Sequence, residues 1–165
     1  MAPQTQPARR KINIERSFQA PVEEVWELWT TKDGIESWWG PPGFEVKVRR
    51  LDVRRGGELL YTMTAVAADQ IDFLKKAGMP LTTESLVTYT EVVPRQRLAF
   101  TQMADFIPNV KPYALAMTVE FDTQPQGGVR LVLTLDAMHD EYWTNMMVMG
   151  WEQELGKLAT LLNSA

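Results

Sequence analysis

One long amphipathic segment follows a run of alternating strands, and this order constrains the fold more than any other feature of the sequence. From Asp140 to Leu162, large apolar side chains recur every three or four positions, the period of an α-helix with one buried face. They are Trp143, Met147, Trp151, Leu155, Leu158 and Leu162. Such a helix must bury its apolar face, and the preceding strands offer the only large apolar surface. We therefore expect an α+β fold in which a curved antiparallel sheet wraps around this helix.

The rest of the chain supplies the strands of that sheet. Seven segments have the period of two that is typical of half-buried strands. They are Lys11 to Phe18, Phe44 to Val53, Glu58 to Val66, Ser85 to Val93, Arg97 to Met103, Tyr113 to Phe121 and Val129 to Ala137. The apolar phase slips near Arg49 and Arg50, which predicts a β-bulge that helps the sheet to curve. Because a strongly curved sheet does not close tightly on a straight helix, we expect a space between them.

Two short helices are predicted after the first strand. Pro21 is suited to the first turn of the earlier one. The later one is expected to start at Asp33, with Glu36 placed as in a capping box. It ends before Pro41 and Pro42, which cannot continue a helix.

Composition and charge exclude several classes of function. A net charge of -4 without a basic stripe argues against nucleic acid as a partner. With no cysteine and 1 histidine, the chain offers no thiolate metal site, cysteine nucleophile or histidine cluster, so we expect no metal and no cofactor. Residues 1–10 lack an apolar run and are expected to form a disordered tail before a single domain at 11–165. We expect a cytoplasmic protein that does not bind membranes.

Six motifs spread along the chain carry a family resemblance. They are Ile14 to Pro21, Val25-Trp26, Trp38 to Phe44, Gly56-Gly57, Val92 to Leu98 and Gly150 to Leu155. Together they resemble the family named after the activator of Hsp90 ATPase, within the START/Bet v 1-like helix-grip (SRPBCC) superfamily. The resemblance covers about residues 12 to 162 and implies a helix-grip fold with a ligand-sized cavity. It does not select an activity, because that superfamily includes lipid carriers, hormone binders, polyketide cyclases and co-chaperones.

One departure from the family pattern is the long connection across residues 67–85, where members commonly have a short one. Asp69 can cap a helix in this insert, Gly78 stands where a left-handed C-cap belongs, and Pro80 ends it. We expect a small helix from Asp69 to Pro80. It is either a lid over the cavity mouth, beside the two tryptophans before the proline turn, or an ornament on the sheet edge.

Candidate ligand-binding residues are those that the expected fold directs toward the space between sheet and helix. The aromatic and methionine candidates are Trp38, Trp39, Phe44, Tyr61, Tyr89, Phe100, Tyr113, Met117, Trp143, Met147 and Trp151. Trp38 and Trp39 point about 100° apart on a short helix, so one can pack the core while the other faces a ligand. Methionine suits a surface that accepts varied apolar shapes, but it also fills gaps in irregular cores. Further methionines in these elements are Met63, Met103, Met138, Met146 and Met149.

Three polar or charged residues have two interpretations each. Arg16 and Glu91 are charged residues that share predicted strand faces with apolar residues: Arg16 with Ile12, Ile14 and Phe18, and Glu91 with Val87, Tyr89 and Val93. They either hold a polar ligand and move protons or reach solvent near a strand end. His139 precedes the long helix, and we expect it to belong to the helix cap rather than to a catalytic or metal site.

Three classes of function stay open at this point. The first is binding of a small hydrophobic or amphipathic molecule in the internal cavity. The second is an enzyme of cyclase or dehydratase type, favoured if two or more polar side chains lie at the base of a large cavity. The third is an interaction module for an Hsp90-type chaperone, favoured by a charged convex sheet face and a collapsed cavity. A protein partner and either a monomer or a homodimer are compatible with all three.

Overall fold

An antiparallel sheet of seven strands organises the part of the chain that the computed structural model describes, which is residues 10–105, 107 and 109–163. The strands are β1 (Lys11–Phe18), β2 (Phe44–Leu51), β3 (Glu58–Ala65), β4 (Thr82–Val93), β5 (Arg97–Ala104), β6 (Tyr113–Thr123) and β7 (Val129–Asp136). Their order across the sheet is β1-β7-β6-β5-β4-β3-β2, so the first strand pairs with the last. The predicted fold class is confirmed. Residues 1–9 of the predicted tail lie outside the described residues, and the single domain stays a prediction.

The helices lie where the sequence predicted them, but their caps differ. They are α1 (Val22–Thr30), α2 (Lys32–Trp38), α3 (Ala68–Lys76) and α4 (Glu141–Asn163). The predicted capping box of α2 is wrong. Thr31 is the N-cap, and its hydroxyl accepts a hydrogen bond from Gly34 N at 3.0 Å. Glu36 instead accepts from Val48 N at 2.7 Å and thereby joins α2 to the sheet.

Two β-bulges bend the sheet. The register of β2 against β3 shifts between Val48 and Arg50, which confirms the bulge predicted there. A second shift, between Tyr89 and Glu91 of β4, was not predicted. Beyond this bulge Val92 is opposite the fully buried Leu98, so Glu91 lies on the outer face of the sheet. The expectation that Glu91 shares a face with Tyr89 is therefore wrong.

Helix α4 lies on the inner face of the sheet, where the core is formed. Leu155 and Leu158 have no exposed surface, and Trp151 is 6% exposed, as expected for the buried stripe of this helix. The Trp151 ring stacks on Trp29 of α1, with centroids 6.2 Å apart and planes at 11°. Trp29 also meets Trp38 edge to face at 4.7 Å. Aromatic rings from two short helices therefore fix the C-terminal part of α4.

Helix α3 occupies the predicted insert and docks on the turn before β2. Gly43 O accepts hydrogen bonds from Val66 N at 2.9 Å and Ala67 N at 3.1 Å. Asp69 lies in the first turn without capping it, whereas Gly78 has the expected left-handed backbone, with φ +69°. Leu74 is the buried residue of this helix.

Candidate functional site

A pocket of about 320 Å³ lies between α4 and the adjacent strands β5 and β6, and we call it the α4 pocket. Its lining residues are Gln102, Met103, Leu115, Met117, Met138, Trp143, Met146, Met147, Gly150, Trp151 and Glu154. Five of the nine methionines of the chain are among them. The pocket therefore has flexible apolar walls, two indole rings and two polar side chains.

Strand alternation in β6 and helical spacing in α4 place side chains in the lining of the α4 pocket. The alternation of β6 directs Leu115 and Met117 to the inner face, where both are almost completely buried. Helical spacing places Trp143, Met147 and Trp151 on one side of α4, one turn apart. Gly150 lies between them, and a Cβ added there would meet no atom within 4 Å. The missing side chain at position 150 leaves part of this space open.

Two other pockets with larger volumes have linings of a different kind. One of about 860 Å³ lies between the short helices and the end of α4, and Glu24, Glu27, Lys32 and Asp33 are among its lining residues. Another of about 360 Å³ lies across β3, β4 and β5, and its lining includes Glu84 and Asp105. Neither has the clustered aromatic and methionine side chains that favour binding of a small apolar molecule.

Gln102 and Glu154 are the two polar side chains in the lining of the α4 pocket, and both lie near Tyr61, whose phenol hydrogen-bonds with Gln102 and is within range of the Glu154 charge. We call this part of the pocket its polar end. Gln102 Nε2 donates a hydrogen bond to Tyr61 Oη at 3.1 Å. Glu154 Oε1 accepts from Gly40 N at 2.6 Å, while Lys157 Nζ donates to Gly40 O at 2.9 Å. These two bonds hold α4 against the turn that follows α2, and we call them the Gly40 clamp. Gly40 has φ +86°, and a Cβ there would lie 2.9 Å from Val46 Cγ2.

Burial sets the protonation of this polar end. Desolvation raises the pKa of Glu154 to about 7, although the hydrogen bond from Gly40 N and the Lys157 ammonium oppose the rise. Burial also lowers the pKa of Lys157, against the attraction of Glu154. The pKa of Tyr61 is raised by burial, against hydrogen bonding with Trp39, so its phenol stays neutral. Glu154 consequently changes its charge near neutral pH.

The structure brings four of the predicted site residues together and places the others elsewhere. Met117, Trp143, Met147 and Trp151 line the α4 pocket. Residues that do not line it are Trp38, Trp39, Phe44, Tyr61, Tyr89, Phe100, Tyr113, Arg16 and Glu91. Tyr61 is one hydrogen bond behind the pocket, through Gln102.

The aromatic residues outside the lining have structural contacts. Trp38 is fully buried and its Nε1 donates to Leu28 O at 2.7 Å, while Trp39 meets Trp151 edge to face at 5.6 Å. Tyr89 packs edge to face against Phe100, with centroids 6.4 Å apart. The remaining two lie at strand starts. Phe44 is half-buried opposite Ala65, and Tyr113 Oη lies 2.9 Å from His139 Nδ1 and accepts from His139 N.

The two charged candidates are engaged at the surface. Arg16 is on the inner face, opposite Leu131, but its guanidinium lies 3.6 Å from Glu152 of α4 and is substantially exposed. Glu91 pairs with Arg97 on the outer face at 2.9 Å. Both match the interpretation in which the charge reaches solvent.

Sequence reasoning missed Gln102 and Glu154 as site residues, although both carried a readable signal. Gln102 follows Phe100 by two positions and therefore shares its inward face. Glu154 stands three residues after Trp151 and four before Leu158, on the apolar side of α4. A charged residue in the buried stripe of a helix is the pattern that would have indicated it.

Helix α3, in the predicted insert, does not contribute to the α4 pocket. No residue of α3 lines this pocket, so the helix does not cover it in the manner of a lid.

Within residues 10–105, 107 and 109–163, no three histidine, aspartate or glutamate side chains cluster as metal ligands. Nor does any helix in that part of the chain combine the length and hydropathy of a membrane span.

Comparison with known proteins identifies the family. The model of the family described as Activator of Hsp90 ATPase homolog 1-like protein matches residues 19–163. The chain belongs to this family. No curated protein matches it.

Solved structures agree with this assignment at the level of the fold. A protein of Chromobacterium violaceum is 23% identical with a TM-score of 0.72, over 93% of this chain and 97% of that one. The AHSA1 protein of Silicibacter pomeroyi is 24% identical with a TM-score of 0.68, over the same shares of the two chains. A protein of Mycobacterium smegmatis is 21% identical with a TM-score of 0.70, over 94% and 91%.

Two of the motifs that carry the resemblance to the Activator of Hsp90 ATPase homolog 1-like family meet in space. Glu154, from the motif at Gly150 to Leu155, accepts the hydrogen bond from Gly40 of the motif at Trp38 to Phe44. Trp39 and Trp151, one from each motif, are in edge-to-face contact. In this family member the motif at Trp38 to Phe44 thus holds Glu154, one of the two polar side chains that line the α4 pocket.

Proposed function

We propose that this protein binds a small apolar or amphipathic molecule in the α4 pocket. The observation that carries the proposal is the lining, in which five methionines, two tryptophans and a leucine surround about 320 Å³. That volume is in the range of small-molecule sites, which combine an apolar lining with a few polar groups. Methionine adapts its shape to different apolar surfaces, so the walls suit a ligand better than a close-packed core.

Gly150 and Gly156 provide a matched test on the same helix. An added Cβ at either position meets no atom within 4 Å, but only Gly150 lines the pocket. We expect Gly150→Leu to fill the pocket and weaken binding of a neutral naphthalene fluorophore more than tenfold, whereas Gly156→Leu leaves its affinity unchanged. Calorimetric titration measures the affinity, and circular dichroism checks that both variants fold. Binding should also show a negative heat-capacity change, as burial of apolar surface requires.

Native mass spectrometry of freshly purified protein complements the titration. We expect a small molecule to remain bound to the wild-type chain and to be lost from Gly150→Leu. Equal fluorophore affinity in both leucine variants, together with no retained molecule, would place the function outside the α4 pocket.

A second candidate function, an enzyme of cyclase or dehydratase type, is favoured by one observation. Glu154 lines the pocket, its pKa is raised to about 7 by burial, and Gln102 is a second polar residue at the same end. A carboxylate with this pKa can remove and return protons at neutral pH. In a dehydratase, Glu154 would take a proton from carbon as the C=C bond forms and the C–O bond to the neighbouring hydroxyl breaks, and it would return that proton to the departing oxygen, which leaves as water.

Mass spectrometry separates the second candidate from simple binding. With Glu154→Gln, a dehydratase would retain its substrate, heavier by one water than the molecule recovered from the wild type. A cyclase would retain an isomer with the same mass and a different chromatographic retention time. Recovery of the same molecule from both proteins would contradict the enzyme.

The chaperone-interaction module has less support. The outer sheet face is charged, with Arg97 close to Glu91 and Glu120, and Arg130 within 2.6 Å of Glu15. A collapsed cavity was the other condition, and the α4 pocket is open. A protein partner, the oligomeric state and the cytoplasmic location stay predictions.

A further inference from the structure

Two hydrogen-bond acceptors at the polar end of the α4 pocket are not used by neighbouring residues. Gln102 Nε2 is directed at Tyr61 Oη, and Glu154 Oε1 is directed at Gly40 N. The other polar atoms of these two side chains, Gln102 Oε1 and Glu154 Oε2, make no hydrogen bond within the described part of the chain. An amide oxygen and a carboxylate oxygen accept hydrogen bonds and cannot donate them. When Glu154 is ionised, a ligand that reaches this end therefore meets two free acceptors.

The charges around Glu154 favour a neutral ligand group over a cation. Lys157 Nζ donates to Gly40 O, on the same residue whose N–H donates to Glu154, and the attraction of its ammonium already acts on the carboxylate. A cationic ligand would lose its hydration among tryptophan and methionine side chains, while Lys157 reduces the attraction that could compensate. A neutral hydroxyl loses less hydration and can still donate to the carboxylate.

We infer that the ligand of the α4 pocket is an apolar molecule that ends in a neutral hydroxyl group, a phenol or an alcohol, which donates to Glu154 and Gln102. Its apolar body lies against Trp143, Trp151 and the methionines. This inference rests on the proposed function and adds the chemical class of the ligand. A site built to accept a hydroxyl hydrogen bond discriminates strongly against an analogue that lacks the donor.

Three naphthalene compounds test the inference on the full chain. 2-Naphthol carries a neutral donor, 2-methoxynaphthalene has the same ring system without a donor, and 2-naphthylmethylamine carries a cation. Calorimetric titrations at pH 8 give their affinities when Glu154, with its pKa raised to about 7 by burial, is largely ionised. We expect 2-naphthol to bind at least tenfold more tightly than the ether and more tightly than the amine, because a bond to a charged acceptor is strong.

Variants assign the discrimination to the proposed acceptors. In Glu154→Gln the amide can keep the bond to Gly40 N but replaces one acceptor oxygen with a donor, so the preference for 2-naphthol over the ether should fall about tenfold. Glu152→Gln is the matched control, because it lies on the same helix, outside the pocket lining, and is expected to keep the preference. Gln102→Met preserves length without an acceptor and should reduce the preference several-fold. Thermal melts establish that each variant is folded.

The outcomes separate this inference from the proposed function. If none of the three compounds binds the wild type, the proposed function fails and the inference fails with it. If 2-naphthol and 2-methoxynaphthalene bind the wild type equally, or 2-naphthylmethylamine binds best, the ligand does not need a neutral donor. The proposed binding of an apolar molecule in the pocket is then still supported. An unchanged preference in both Glu154→Gln and Gln102→Met would overturn the role of these two acceptors.

Discussion

Helix α4 meets the sheet differently along its two halves. In the C-terminal half, Leu155, Leu158 and Leu162 are buried, and Trp151 stacks on Trp29. In the N-terminal half, Trp143 and Met147 are half-buried beside the pocket, while Met146 is exposed at its rim. Branched leucines and rigid rings fill the first interface, whereas flexible methionines border an opening in the second.

The difference shows how one helix can serve both stability and binding. Close packing and the Gly40 clamp fix the position of α4 at its C-terminal half. The N-terminal half then does not need to collapse onto the sheet to hold the helix in place. The space beside Gly150 and the methionines can therefore stay open for a ligand while the rest of the helix stabilises the fold.

The largest effect should come from emptying the closely packed half. Leu155→Ala is expected to lower the free energy of unfolding by about 2–5 kcal/mol, because a fully buried leucine leaves a cavity. Met147→Ala, on the pocket side, should cost less than Leu155→Ala, since the Met147 side chain is half-buried and its surroundings already contain open space. Urea denaturation gives both values. Equal costs would mean that the two halves do not differ in packing.

A pH dependence should come from the junction between the halves, at Glu154. Its pKa is raised from 4.5 to about 7 in the folded state, so the folded chain holds this proton more tightly than the unfolded chain. The stabilisation is complete below about pH 4.5 and is lost as the pH rises through about 7, by up to about 3 kcal/mol. Relative to Glu154→Gln, the wild type should become less stable between pH 5 and pH 8. Glu152→Gln is the control and should keep the pH dependence of the wild type. If Glu152→Gln loses this pH dependence as Glu154→Gln does, the effect does not arise from Glu154.

A smaller difference in stability is expected between substitutions of two buried tryptophans, Trp29 and Trp38. Trp38 Nε1 donates to Leu28 O, whereas the buried Trp29 Nε1 has no hydrogen-bond partner within the described residues. Trp38→Phe should therefore cost about 1 kcal/mol or more beyond Trp29→Phe, because only the former breaks a hydrogen bond. Thermal melts of the two variants measure this difference. The opposite order would contradict the assignment of the satisfied indole.

The smallest effect concerns the glycines of α4. Gly150→Ala should raise the free energy of unfolding by about 0.5–1 kcal/mol, since alanine favours the helix and its methyl group meets open space. Gly156→Ala should give a similar gain at an exposed position. A loss at position 150 alone, in chemical denaturation, would indicate that the pocket half is more closely packed than the structure shows.

The sequence predicted the elements well because their periodicities are local. The bulge at Arg49-Arg50 was predictable because the apolar phase slips there. The bulge at Thr90 was not predictable from the sequence. Threonine suits either face of a strand, so its position does not reveal a shift in the apolar alternation. Glu91 was consequently assigned to the wrong face.

The pocket was predicted less completely than the fold. Met117, Met147 and Trp151 follow from strand and helix periodicity, and Glu154 could have been recognised in the same way. The Gly40 clamp could not have been predicted, because Gly40 and Glu154 are 114 residues apart and only the folded chain brings them together. Long-range hydrogen bonds of this kind have no local pattern.

The pairing of β1 with β7 has a consequence for how the chain is made. Lys11 is opposite Asp136 and Phe18 is opposite Val129, so β1 lacks this partner until β7 has emerged from the ribosome. At about 5–20 residues per second, β1 waits on the order of 10 s during translation with its apolar face uncovered. In that interval the nascent chain exposes an unpaired strand, and factors that shield such segments on the ribosome would act on β1.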